Sequence, residues 1–138
     1  MHAAANPSAP YRHRLRVYWE DTDAGGVVFY ANYLKFFERA RTEWLRERGV
    51  GQQQMKDDTG HMFVVAESRV RYARPARLDD SLEISVELRS CGRASMLIAQ
   101  QAWRGSELLA EGEIRIGCVD ALTFRPQRFP NPILQALT

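Results

Sequence analysis

Glu20-Asp21-Thr22-Asp23-Ala24-Gly25-Gly26-Val27-Val28-Phe29-Tyr30-Ala31-Asn32-Tyr33 is the stretch that decides the fold, because the periodicity of the chain changes across it. Upstream, His13 to Trp19 sets Leu15, Val17 and Trp19 against Arg14, Arg16 and Tyr18, the two-residue alternation of a strand. From Glu20 to Gly26 the acidic and glycine-rich composition predicts a loop. Downstream, Tyr33, Phe36, Phe37, Ala40, Trp44 and Leu45 recur at steps of three and four. That spacing predicts a helix over 32–48, roughly 25 Å long at the usual rise per residue. Lys35, Glu38, Arg39, Arg41, Glu43, Arg46 and Glu47 fill its other side. Asn32 suits the N-cap, and Gly49 suits the left-handed residue that ends a helix.

The remaining segments read as strands. Phe63 to Tyr72 is followed by a break at Pro75, and Leu82, Ile84, Val86 and Leu88 then alternate with Glu83, Ser85, Glu87 and Arg89. Ser95 to Arg104 is apolar-rich, Arg104-Gly105-Ser106-Glu107 has hairpin-turn composition, and Leu108 to Val119 closes the set. Pro126, Pro130 and Pro132 argue against regular structure for most of the tail. One strand, one long helix and then a run of strands predict an α+β fold. Its expected form is an antiparallel sheet of about five strands wrapped around one central helix.

The 138 residues fit a single domain over 11–138, preceded by an Ala/Asn/Pro/Ser-rich tail over 1–10 that is expected to be disordered. An apolar fraction of 45% supports a real core, and a net charge of +2 gives no case for nucleic acid as a partner. No stretch approaches the ~20 apolar residues of a membrane span, and the start lacks a signal-peptide core. The cytoplasm is the expected location. Cys91 and Cys118 match no metal-ligand spacing and are expected to be reduced and at least half-buried. His2, His13 and His61 likewise have no ligand partner at helical or hairpin spacing, so the metal expectation is none.

The chemistry concentrates where the loop meets the helix. A helix start exposes unpaired N–H groups and a partial positive charge, which suits it to stabilise an oxyanion. The acidic run Glu20-Asp21-Thr22-Asp23 lies just upstream, and a carboxylate from it can reach a carbonyl held there. A thioester is activated enough for a carboxylate, or a water it activates, to suffice. Gly25 and Gly26, with Val27 and Val28, would form the tight backbone that lets such a substrate approach. Asp21 and Asn32 are expected to support the loop by hydrogen bonding. Phe29, Tyr33, Phe36, Phe37 and Trp44 are expected mainly in the core.

The run from Tyr18 to Tyr33, with Phe37-Glu38-Arg39-Ala40-Arg41-Thr42-Glu43 after it, resembles the 4-hydroxybenzoyl-CoA thioesterase-like hotdog family. It is most similar to the acyl-CoA thioesterases associated with the bacterial Tol–Pal system. The likeness continues in Pro75-Ala76-Arg77-Leu78-Asp79-Asp80, Ala110-Glu111-Gly112, Cys118-Val119-Asp120 and Arg125-Pro126, so it spans about 13–130. The resemblance implies a hotdog fold and hydrolysis of acyl-CoA, or of an acyl-carrier-protein thioester, without a cofactor. It implies that Asp23 is the catalytic carboxylate, as nucleophile or general base, and that the backbone N–H of Tyr30 is the oxyanion donor. It also implies a homo-oligomer, dimer or tetramer, with the site between subunits. Where the Tol–Pal branch commonly has histidine, this chain has Tyr30.

Two other classes compete with hydrolysis: a non-catalytic acyl-CoA or acyl-carrier-protein binding module, and a hotdog dehydratase or hydratase. The loop-to-helix segment has no histidine for the latter. Arg69, Arg71, Arg74, Arg77, Arg89 and Arg93 form a candidate rim for the phosphates of CoA.

Overall fold

The computed structural model describes residues 10–138, so the expectation for the 1–10 tail lies outside the described residues apart from Pro10. The elements run β1 (Tyr11–Arg16), a 3₁₀ turn (Trp19–Asp21), α1 (Asn32–Glu47) and α2 (Gln52–Thr59). They continue through β2 (His61–Tyr72), β3 (Ser81–Cys91), β4 (Ser95–Arg104), β5 (Glu107–Asp120) and α3 (Asn131–Leu137). The strands form one five-stranded sheet in the order β1-β3-β4-β5-β2, with every neighbour antiparallel. This is the α+β hotdog arrangement expected from the sequence, with β1 and β2 at the two edges.

The central helix lies against one face of the sheet. Tyr33, Phe36, Phe37, Ala40, Trp44 and Leu45 are buried along it and meet Leu82, Ile84, Met96, Ile98, Leu109 and Ile114 from the strands. Each large side chain buried in this way stabilises the fold by about 1.5–3 kcal/mol. Gly112 in β5 lies where helix and sheet approach closely. A Cβ there would lie 3.0 Å from Cε2 of Phe37 and 3.1 Å from the carbonyl oxygen of Arg69. Gly49, at φ +83°, turns the chain out of α1, and its N–H donates to the carbonyl of Arg46.

Five details differ from the sequence reading. The first strand ends at Arg16 rather than Trp19, and Trp19 is 80% exposed. Val17 donates to the Asp80 carbonyl, and the Asp21 carboxylate then draws the Tyr18 N–H into the 3₁₀ turn. Asn32 is not the N-cap: Ala31 holds that position, and Asn32 is the first helical residue with its amide turned toward Asp21. Arg41, expected on the polar side of α1, is only 7% exposed. The tail contains α3, because Pro132 falls in the first turn, where its missing N–H is no loss. Finally, α2 had no apolar periodicity to announce it. It buries only Met55 and is laced by Gln53–Asp57 and Gln54–Asp58 side-chain bonds on its exposed face.

Candidate active site

The loop between the 3₁₀ turn and α1 is built from backbone pairs. Thr22 bridges Val28, and Val27 bridges Arg77, which ties the loop to the segment before β3. Val28 donates to the Ala76 carbonyl (2.9 Å), and Phe29 donates to the Asp21 carbonyl (2.9 Å). Inside this frame Asp23 N–H donates to Val27 (2.8 Å) and Gly26 N–H donates to Asp23 (3.0 Å). Gly26 sits at φ +81°, a conformation that costs a residue with a Cβ.

The two aspartates differ in every respect that matters for chemistry. Asp21 is buried, and both its oxygens are engaged: Oδ2 accepts from the Tyr18 N–H (2.8 Å) and Oδ1 from Asn32 Nδ2 (2.9 Å). Asp23 is exposed. Its Oδ1 accepts from the Gly25 N–H at 2.8 Å, and among the described residues Oδ2 has no partner. One oxygen therefore holds the carboxylate in place while the other stays available.

The helix entry adds donors. Asn32 N–H donates to the Phe29 carbonyl (2.8 Å) and Leu34 N–H to the Ala31 carbonyl (3.1 Å). The Tyr30 N–H has no acceptor among the described residues. Tyr72, from the end of β2, donates its hydroxyl to the Tyr30 carbonyl at 2.9 Å. Tyr30 and Tyr72 meet edge to face with centroids 6.3 Å apart, and Tyr33 and Tyr72 lie 5.5 Å apart. Burial, then the neighbouring Tyr30, pushes the Tyr72 phenol above its ordinary range, so it remains a donor at neutral pH. Beside these rings Val28, Tyr30, Tyr33, Tyr72 and Pro75 line a hollow of about 250 Å³. Phe29, expected in the core, is instead 44% exposed, because the turn into α1 directs it outward beside Tyr30.

The candidate arginine rim divides in two. Arg74 and Arg77 stand next to the loop, joined by Arg104 from β4, which the sequence reading did not include. Arg74 pairs with Glu107 (3.0 Å), and Arg104 pairs with Asp80 and Glu107 (2.7 Å each). Among the described residues the Arg77 side chain has no carboxylate partner. Burial would raise the Asp80 carboxyl, but the Arg77 N–H and the Arg104 guanidinium outweigh it and hold it below the ordinary range. Arg69, Arg71 and Arg89 lie away from the loop, paired with Glu113, Glu111 and Glu87. Arg93 is also exposed.

His61 starts β2 opposite Asp120, at the end of the strand far from Tyr72. His13 is half-buried on β1, and His2 lies outside the described residues. Among the described residues no cluster of His, Cys, Asp or Glu is placed to hold a metal ion. Cys91 is half-buried and Cys118 buried, both with free thiols.

A long helix packed on a five-stranded antiparallel sheet is the hotdog fold of the thioesterase-like proteins. The model of the thioesterase-like superfamily matches residues 17–137, and the chain belongs to that family. Among curated relatives, the acyl-CoA thioester hydrolase YbgC of Escherichia coli is 44% identical over 125 residues, covering 90% of this chain and 92% of that protein. The acyl-CoA thioesterase YbgC of Haemophilus influenzae is 40% identical over 88% of this chain and 90% of its own. Among solved structures, a probable thioesterase from Bartonella henselae superposes with a TM-score of 0.83 at 31% identity. That match covers 88% of this chain and all of the other. The family resemblance carried by the loop and helix is thus borne out.

Proposed function

We propose that residues 11–138 form one thioesterase unit that hydrolyses acyl-CoA to a free carboxylic acid and CoA. The observation that carries this reading is the Asp23 carboxylate, fixed through one oxygen by the Gly25 N–H, ahead of the Tyr30 N–H just before α1, which has no acceptor among the described residues. The names of the YbgC relatives, which share 40–44% of their residues with the chain, agree with it.

In this reading the thioester carbonyl points at the Tyr30 N–H, where the helix start stabilises the negative charge that develops on oxygen. Asp23 acts in one of two ways. As a nucleophile it attacks the carbonyl carbon, expels the CoA thiolate and leaves a mixed anhydride for water to open. As a general base it takes a proton from water as that water attacks. Both routes consume one water and release one thiol and one acid. Asp21 and Asn32 hold the loop, and Gly25 to Val28 form its backbone. Arg77 and its neighbours supply positive charge for the CoA phosphates. Val65, Tyr72, Tyr30 and Leu34, all exposed beside the open edge of β2, support assembly into a dimer or higher oligomer. Among the described residues no helix is long and apolar enough to cross a membrane. Two free thiols fit a reducing compartment, so we place the enzyme in the cytoplasm, in the Tol–Pal-associated branch.

The test is a thiol-release assay over short, medium, long and aromatic acyl-CoAs, run on the wild type and on Asp23→Asn. Hydrolysis of at least one class is expected, with a loss in kcat of about a hundredfold or more in the variant. Unchanged activity in Asp23→Asn removes Asp23 from the mechanism. Thioester binding without thiol release by the wild type favours the non-catalytic module instead.

A further inference from the structure

Arg41 is the one arginine of α1 that the fold buries, and Glu38, one turn back, acts on its charge only at longer range than an ion pair. Its Nη1 donates to Oε1 of Gln100 at 3.0 Å, and among the described residues no carboxylate lies within ion-pair distance. Gln100 is itself fully buried and spends its amide N–H groups on the backbone carbonyls of Phe37 (3.0 Å) and Ser85 (3.4 Å). A guanidinium carries five N–H donors and stays charged at any physiological pH. Holding Gln100 requires only one of them. Holding such a cation largely out of water without a directly paired carboxylate is costly, and an uncharged donor would serve Gln100 at less expense.

The remaining face of Arg41 opens onto a cavity of about 360 Å³ between α1, α2 and the strands β2, β4 and β5, a volume within the range of small-molecule sites. Leu45, Phe63, Ile98 and Ile116 give it apolar walls, and Glu38 stands at its edge. The cavity lies further along α1 from the Asp23 loop, on the helix face that begins at the helix entry. Leu34, Glu38, Arg41 and Leu45 follow one another at steps of four and three, so they share a helix face. β2 runs back alongside, with Phe63 at the cavity and Tyr72 at the helix entry. From Asn32 to Arg41 the helix rises roughly 14 Å, comparable to an extended acyl chain of medium length.

We propose that this cavity receives the far end of the acyl group, and that Arg41 selects acyl chains bearing a hydrogen-bond-accepting oxygen there, either a hydroxyl or a carboxylate. The inference rests on the thioesterase reading above and deepens it from reaction to substrate class. An apolar chain lies along the walls, and its terminal oxygen takes the donors that Gln100 leaves unused. Arg41 is a specificity-determining residue in this scheme, with no part in the bond-breaking step.

The experiment compares dodecanoyl-CoA, ω-hydroxydodecanoyl-CoA and the CoA monothioester of dodecanedioic acid on the wild type, Arg41→Met and Arg41→Lys. The wild type is expected to favour at least one oxygen-ended substrate in kcat/KM by about tenfold or more, as for a buried charged donor given its acceptor. In Arg41→Met the ratio of oxygen-ended to plain substrate should fall to near one. Arg41→Lys should keep part of the preference for the carboxylate. A wild type with no such preference, or a ratio unchanged in Arg41→Met, overturns the proposal. Should Arg41→Met fail to fold, calorimetric titration of the wild type with ω-hydroxydodecanoate, dodecanedioate and dodecanoate decides. Oxygen-ended acids that bind no tighter than dodecanoate overturn it. The titration does not depend on hydrolysis, so failure of the thioesterase reading remains distinguishable from failure of this one.

Discussion

The carboxylates of Asp21 and Asp23 stand two residues apart, one buried with both oxygens engaged and the other exposed with one oxygen spare. Asn32 is the residue that makes the difference for Asp21. Removing its amide leaves a buried carboxylate short of a donor, which costs about 1–3 kcal/mol. Asn32→Asp does worse, because it sets a second carboxylate against the first. The expected order of thermal midpoints at pH 7 is wild type, then Asn32→Ala, then Asn32→Asp, read by circular dichroism. An Asn32→Asp protein as stable as the wild type would contradict this account of the loop. The sequence allowed both aspartates to be placed in the loop, since composition and the glycine pair mark it. It did not show that Phe29 turns outward or that Arg41 turns inward. Those orientations follow from the angle at which the chain enters α1 and from the position of Gln100 on β4, neither of which has a local signal.

Among the elements, α1 was legible because its aromatic stripe has only one period that fits. β3 was legible because its alternation is strict, and the other strands because looser alternation or apolar runs fall between turn signals. The ends of elements were not. β1 stops early because Asp80 and Asp21, distant or downstream, capture the N–H groups of Val17 and Tyr18 that follow it. α3 hides behind prolines that the first helical turn tolerates. Packing between elements is tight at Gly112. In Gly112→Ala the new methyl meets the Phe37 ring and, across the strand pair, the rigid carbonyl of Arg69. Overpacking of this kind destabilises by about 1–3 kcal/mol. Urea denaturation should show a lower midpoint with an unchanged slope. A neutral outcome would mean that β2 and α1 part more easily than their contact suggests.

At the scale of the whole molecule, the order β1-β3-β4-β5-β2 leaves β2 with one side unpaired among the described residues, and several exposed apolar residues lie near it. The run of consecutive strands made the sheet predictable, but not which strands would end it. That depends on pairing between β2 and β5, segments about forty residues or more apart, which no local pattern encodes. Covering this edge predicts a species larger than the 15.8 kDa monomer in sedimentation velocity at micromolar concentration. A protein that is monomeric and fully active over the whole concentration range would argue against it. The hydroxyl of Tyr72 gives this edge a further meaning. It belongs to the last residue of β2, yet it ends on the carbonyl of Tyr30, so the strand's border and the turn into the helix share one peptide group. Whatever settles the border also settles that peptide. If a second copy covers that border, turnover per molecule is expected to depend on the enzyme's own concentration, falling on dilution in step with dissociation.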